Sequence, residues 1–269
     1  GSILSLIVSL SLFSKNRPNV IVVLVDDMGY SDLGSFGGEV RTPNIDMLAV
    51  EGLRFTQNYN SARCCPSRAS LLTGLYSHQA GIANFTGGDK SDRLGPAYLG
   101  KLNKNCVTLA EVLKQAGYAT YGVGKWHVGH EALPTDRGFD EYYGYVRGHS
   151  ASQWNPKNNQ RLPEGREKEF SYEDGKYYAT DVFSDYAVEF IKQAESKESP
   201  FFLYLAHSSP HFPLEAPGET RDSYLDIYRE GWDKLREKRY QRQKEIGLIT
   251  DVWKFTGLSE VPADRDDIA

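Results

Sequence analysis

Apolar and polar positions fall into blocks along the chain that read as strand, turn and helix in alternation. Residues 20–25 (VIVVLV) form an unbroken β-branched run, which predicts a strand buried on both faces, and it stops abruptly at Asp26-Asp27-Met28-Gly29. Thr42-Pro43 then opens a helix with Ile45, Leu48 and Ala49 on one face and Pro43 at its first position. A short helix is expected from near Pro66, through Ser70-Leu71-Leu72, to Gly74. Thr108-Leu109-Ala110-Glu111 has the form of a capping box, Gly117 marks the stop of that helix, and residues 118–123 return as a strand. Residues 147–178 are polar and aperiodic, which predicts a long surface excursion. Helical spacing resumes at Val182, Tyr186, Phe190 and Ala194; residues 201–206 (FFLYLA) read as another buried strand, running into His207-Ser208-Ser209-Pro210-His211. A charged helix over residues 233–245 should cover surface. This order predicts an α/β fold, a large mixed β-sheet between helix layers.

Composition narrows the function classes modestly. A net charge of −5 and the lack of a Lys/Arg run with interleaved aromatics argue against nucleic acid as a partner. Three cysteines are too few for a disulfide scaffold, and Cys64 and Cys65 are adjacent, so the open readings are buried thiols or a bond from one of them to Cys106. No Cys/His cluster has zinc spacing along the chain. Residues 3–13 (ILSLIVSLSLF) are too short an apolar run to span a bilayer but suit the core of a secretory signal; a first strand or a tail is the competing reading. No stable membrane insertion is expected. The sequon Asn84-Phe85-Thr86 is too common a triplet to decide anything.

The candidate chemistry centres on Cys64-Cys65-Pro66-Ser67-Arg68, continued by Ala69-Ser70-Leu71-Leu72-Thr73-Gly74, and on Gly117-Tyr118-Ala119-Thr120 with Gly122-Val123-Gly124-Lys125-Trp126-His127. Both stretches resemble the signatures of the formylglycine-dependent sulfatases, an arylsulfatase-like family of the alkaline-phosphatase superfamily, and the resemblance runs from about Asn19 to about Pro217. In that family the pattern C-x-P-S-R directs conversion of its cysteine to formylglycine, which selects Cys64 and makes Cys65 the variable position. The resemblance implies a sulfuric ester hydrolase acting on an aryl sulfate or a sulfated sugar, with a formylglycine-generating maturation enzyme as a partner. A formylglycine hydrate suits this chemistry because one hydroxyl attacks sulfur and the other, once deprotonated, expels sulfate.

The remaining assignments follow by the same resemblance. Asp26 and Asp27 would join Cys64 as ligands of one divalent cation, Ca²⁺ ahead of Mg²⁺, since carboxylate oxygens are hard donors. Taken alone, an Asp pair after a strand is more often a solvated loop. Arg68 would hold the hydrate and the metal-side carboxylates, Lys125 would contact sulfate, His127 would be the base, and His211 would sit on the sulfate side. Lys125 and His127, two apart after a strand, are expected on one side of an extended segment. His78, His130, His149 and His207 read as structural or rim residues. Residues 1–18 are then the remnant of a signal or tail, and 19–269 an incomplete N-terminal catalytic domain of a secreted or periplasmic protein, lysosomal in a eukaryote. The family's second metal pair and a leaving-group lysine are not found, so later sheet neighbours of FFLYLA are also expected to be missing. A phosphodiesterase or phosphonate monoester hydrolase and an inactive truncated binding module are the alternatives.

Overall fold

The computed structural model describes residues 17–147 and 152–257. The signal-like run 3–13 and His149 lie outside the described residues. The chain divides into two compact units, one of residues 1–28 and 59–217 and the other of 29–58 and 218–269. Among the described residues no helix is long and apolar enough to cross a membrane.

The larger unit is built on a five-stranded mixed sheet. Its strands are β1 (Val20–Asp26), β2 (Ala119–Lys125), β3 (Glu141–Tyr145), β4 (Asn159–Leu162) and β5 (Phe201–Pro210), in the spatial order β1-β5-β2-β3-β4. β1, β5, β2 and β3 run parallel, and β4 is antiparallel to β3. Period-two alternation sends the side chains of β5 to opposite faces. Phe202, Tyr204 and Ala206 join a core with Cys65, Ala69 and Leu72 of α2 (Cys64–Thr73) and Ala110 of α4 (Leu109–Gln115). Phe201 and Leu203 face the other way, onto Val182, Phe183, Tyr186 and Phe190 of α5 (Ala179–Ser196). Helices therefore cover both faces, as the alternation of elements predicts.

Several local expectations are met and several are revised. Thr108 and Glu111 form the reciprocal capping box, with Glu111 N–H donating to Thr108 Oγ1 at 3.1 Å and Thr108 N–H to Glu111 Oε2 at 2.6 Å. FFLYLA is not left at an open edge: β5 lies between β1 and β2 and is hydrogen-bonded on both sides. β1 is an edge strand of this sheet; it packs Val20, Val22 and Leu24 into the core but leaves Ile21 and Val23 about half exposed, so it is not buried on both faces. EYYGY carries no apolar–polar alternation that would predict a strand, yet it forms β3, and its four aromatic or charged side chains are buried. The excursion at 147–178 also contains structure: β4 extends the sheet, and Arg161, Gln153 and Tyr177 are buried within it.

One glycine fixes how closely the strands approach at the end of β2. Gly124 has φ +101°, and a Cβ there would stand 1.9 Å from the Ala206 carbonyl oxygen of β5. This close approach delivers Lys125 at the strand end.

The smaller unit carries α1 (Pro43–Glu51), α6 (Gly218–Asp222), α7 (Leu225–Tyr228) and α8 (Trp232–Glu245). Pro43 opens α1 as expected, but Leu48 is 64% exposed and α1 buries no residue. Arg239 of α8 makes a bidentate contact with Glu39, and against the opposing cost of burial the Arg239 and Tyr228 hydrogen bonds hold the Glu39 carboxyl below its ordinary pKa.

Gly124→Ala should lower the stability of the folded protein by about 2–4 kcal/mol, because it adds both a backbone clash and a left-handed alanine. Urea unfolding measures it, and a loss below about 0.5 kcal/mol would show that β2 and β5 can separate without penalty.

Candidate active site

The site forms where three elements meet at their ends. β1 ends at Asp26, β2 ends at Lys125, and α2 begins at Cys64, two residues before Pro66 where a helix was expected. Starting the helix at Cys64 matters chemically, since the unpaired N–H groups and positive dipole end of α2 lie at the sulfur itself. Leu24, Asp26, Asp27, Asn60, Arg63, Cys64, Ser67 and Arg68 are among the residues lining one cavity of about 350 Å³. Thus Cys64, Arg68 and both aspartates converge on a single space.

Asp26 is 5% exposed and carries two cations. Lys125 Nζ donates to its Oδ2, and Arg68 Nη2 lies 3.5 Å from its Oδ1, both cations being 1% exposed. Arg68 also donates from Nη1 to the Lys125 carbonyl at 2.7 Å and to the Tyr204 hydroxyl at 3.3 Å. Its Nε and Nη2 are buried without a hydrogen-bond acceptor. With Nη2 in the ion pair to Asp26, the unpartnered Nε of this buried guanidinium is a ready donor for an anionic oxygen. Tyr204 belongs to this group although nothing in the pattern FFLYLA sets it apart from core.

Asp27 differs from its neighbour. It has φ +61°, its side chain is 62% exposed, and His211 Nε2 stands 3.6 Å from its Oδ2. A left-handed aspartate directly after a strand turns its carboxylate out of the sheet plane and toward the cavity. Asp26 and Asp27 therefore present carboxylates to the same space from a continuous segment, and this hard-oxygen donor set fits a divalent cation such as Ca²⁺ or Mg²⁺.

His127 reaches the site by an unexpected route. The strand stops at Lys125, and His127 has φ +53°, so the simple alternation of an extended segment does not orient the two side chains. Both are nevertheless buried at the site. His127 Nε2 lies 3.2 Å from Cys65 Sγ, and Cys65 Sγ lies 4.0 Å from Cys64 Sγ. Burial lowers the His127 pKa against the opposing pull of Cys64, which favours the neutral imidazole. The two thiols titrate in opposite directions. Contact with Cys65, aided by His127 and Lys125, draws Cys64 down to about 3, while contact with Cys64 and burial push Cys65 up. All three cysteines are free thiols; Cys106 is buried away from this group, with its sulfur 3.1 Å from the Asn103 carbonyl.

His207 packs its ring against Phe183, and burial alone lowers its pKa to about 4. Cys65 is the residue whose part the sequence hides, because the motif marks it as variable and its partner His127 is far along the chain.

The comparisons with known proteins bear on this arrangement. The family model described as Sulfatase matches residues 18–257. The chain belongs to the sulfatase family. It is 36% identical over 265 residues to an arylsulfatase of Klebsiella aerogenes, covering 94% of this chain and 55% of that protein. It is 34% identical over 272 residues to the N-acetylgalactosamine-6-sulfatase of Rattus norvegicus, covering 94% of this chain and 52% of the relative. Among solved structures it is similar to Ps i-CgsB in complex with a neocarrahexaose, at 29% identity and a TM-score of 0.65, covering 87% of this chain and 56% of that one. This sulfatase chain spans about half the length of the curated relatives it matches.

Asp26→Asn should destabilise the metal-free protein by about 3–5 kcal/mol, since Lys125 and Arg68 would remain buried without the carboxylate charge between them. Chemical denaturation in chelator reads this directly; a change under about 1 kcal/mol would mean that the two cations find other partners.

Proposed function

We propose that the protein hydrolyses sulfate monoesters, aryl sulfates or sulfated sugars, through a formylglycine made from Cys64. The observation that carries this reading is the convergence of Cys64, Asp26, Asp27 and Arg68 on one cavity, with Lys125 bonded to Asp26 and His127 beside the Cys64-Cys65 pair. The names of the relatives, an arylsulfatase and an N-acetylgalactosamine-6-sulfatase, support the same substrate class.

Each residue has a role that follows from its placement. Formylglycine, as its hydrate, supplies one hydroxyl to attack sulfur and a second whose loss of a proton releases sulfate. Asp26, Asp27 and the converted Cys64 would hold a divalent cation, Ca²⁺ ahead of Mg²⁺, which would supply charge neutralisation for the sulfate oxygens. The N-terminus of α2 adds backbone N–H groups and positive potential to that anion site. Arg68 would orient an oxygen with its unpartnered Nε, and Lys125, beside Asp26, would add its positive charge at the same anion. His127, whose pKa burial lowers, would accept the hydrate proton, and His211, 3.6 Å from Asp27, would act on the leaving-group side. We assign residues 19–269 to the N-terminal catalytic part of the protein and residues 1–18 to a signal or tail. The apolar run 3–13 supports a secreted or periplasmic protein, lysosomal in a eukaryote, matured by a formylglycine-generating enzyme.

In the full-length protein matured in a competent host, the Cys64 peptide should show the mass loss of thiol-to-aldehyde conversion while Cys65 and Cys106 stay thiols. Cys64→Ala should abolish p-nitrophenyl sulfate hydrolysis with the fold retained by circular dichroism. An active enzyme with an unmodified Cys64 would refute the mechanism. Faster turnover of a phosphate diester than of the sulfate would instead point to a phosphodiesterase.

Asp27→Asn, which touches no buried ion pair, should weaken Ca²⁺ binding and lower kcat/KM by at least about tenfold while leaving stability within about 1 kcal/mol. Isothermal titration with Ca²⁺ and steady-state kinetics on the same preparation separate this from a folding defect. Unchanged affinity and rate would remove Asp27 from the ligand set.

A further inference from the structure

We propose that Cys64, Cys65 and His127, while Cys64 is still a thiol, form a binding site for a soft or borderline metal ion of the Zn²⁺ type. Their ligating atoms all lie within 4.8 Å of one another. A tetrahedral Zn²⁺ with ordinary bond lengths holds two thiolate sulfurs about 3.8 Å apart and a sulfur and an imidazole nitrogen about 3.5 Å apart. The corresponding distances here are 4.0 Å between Cys64 Sγ and Cys65 Sγ and 3.2 Å between Cys65 Sγ and His127 Nε2. Sulfur and imidazole donors select this class of metal over Ca²⁺ or Mg²⁺, which take the carboxylates.

The surroundings suit a three-ligand site with one open position. Cys65 is fully buried and His127 nearly so, whereas Cys64 is only partly buried at the start of α2 and borders the cavity, from which water can supply the fourth ligand. The positive end of α2 lies toward the partly buried Cys64 at its first position, and the nearby Lys125 charge is taken up by Asp26. Binding releases the thiol protons to solvent as the two metal–sulfur bonds form, with no change of oxidation state.

The consequence for maturation rests on Cys64 being the residue converted, although the site itself does not. Conversion exchanges the Cys64 sulfur for aldehyde oxygen and so leaves only Cys65 and His127 as soft donors. The unconverted chain should then bind Zn²⁺ far more tightly than the mature one, and an occupied site ties up both the sulfur to be converted and the base.

The test uses the full-length protein produced without the maturation enzyme, with the Cys64 thiol confirmed by mass and metal removed under reducing conditions. Titration with Co²⁺ should give a thiolate-to-cobalt charge-transfer band and tetrahedral ligand-field bands, both abolished by Zn²⁺. Cys65→Ser and His127→Gln should each weaken Co²⁺ binding about a hundredfold, the share of one ligand in such a site. Cys106→Ser should leave the bands unchanged, since that thiol lies elsewhere against Asn103. If either variant fails to fold, the formylglycine-bearing wild type replaces it and should show the same loss. No thiolate band in the wild type, or bands that survive every one of these changes, overturns the site. Because the readout is spectroscopic and needs no turnover, it stands or falls separately from the sulfatase assay.

Discussion

The arrangement depends on one buried carboxylate. Asp26 sits at the end of β1 with Lys125 and Arg68 against its two oxygens, and those three residues come from a strand edge, a second strand and a helix. Taking three charges out of water is expensive unless each is paired, so the ends of β1 and β2 and the first turn of α2 are held to one geometry. Cys64 is carried into place by this constraint, because Arg68 lies one turn along the same helix. A cation bound to Asp26 would compete directly with Lys125 for the same oxygens. The ion pair and a metal site would thus be alternative uses of one carboxylate.

The backbone does much of the remaining positioning at points of unusual φ. Gly124 lets β2 close onto β5, while Asp27 and His127 both adopt left-handed conformations just beyond strand ends. Each such non-glycine residue costs on the order of 1 kcal/mol or more, and such outliers concentrate where a side chain must be aimed. Two of the residues proposed to act chemically are among them. The rigid parallel strands set the floor of the site, and these short departures from regular geometry turn individual groups toward the cavity.

Much of this is legible in the sequence, for reasons that can be named. VIVVLV, FFLYLA, the Thr108-Glu111 capping box and the spacing of Val182, Tyr186 and Phe190 are local signals, and each element forms where its own residues dictate. What the chain conceals is whatever depends on neighbours. β1 resembles a doubly buried strand, yet only one of its faces is covered. FFLYLA, expected to lack partners, is paired along both edges. The EYYGY strand and β4 escape a periodicity search because their burial comes from pairing with each other and with β2.

The site shows the same division more sharply. Cys64, Arg68, Asp26, Asp27 and Lys125 can be singled out because family motifs mark them one by one, and the structure brings them to one cavity or one ion-pair cluster. Cys65 cannot, since a motif position that tolerates any residue carries no signal about what that residue touches. Only folding places its sulfur beside His127, whose own orientation follows from a positive φ that two-residue alternation cannot foresee. A search for metal sites by spacing along the chain misses Cys64, Cys65 and His127 for the same reason: their proximity is created by β2 ending beside the first turn of α2. The position that the family leaves free is therefore where this particular chain acquires chemistry of its own, and substitution at Cys65 tests that property without altering the residues that define the family.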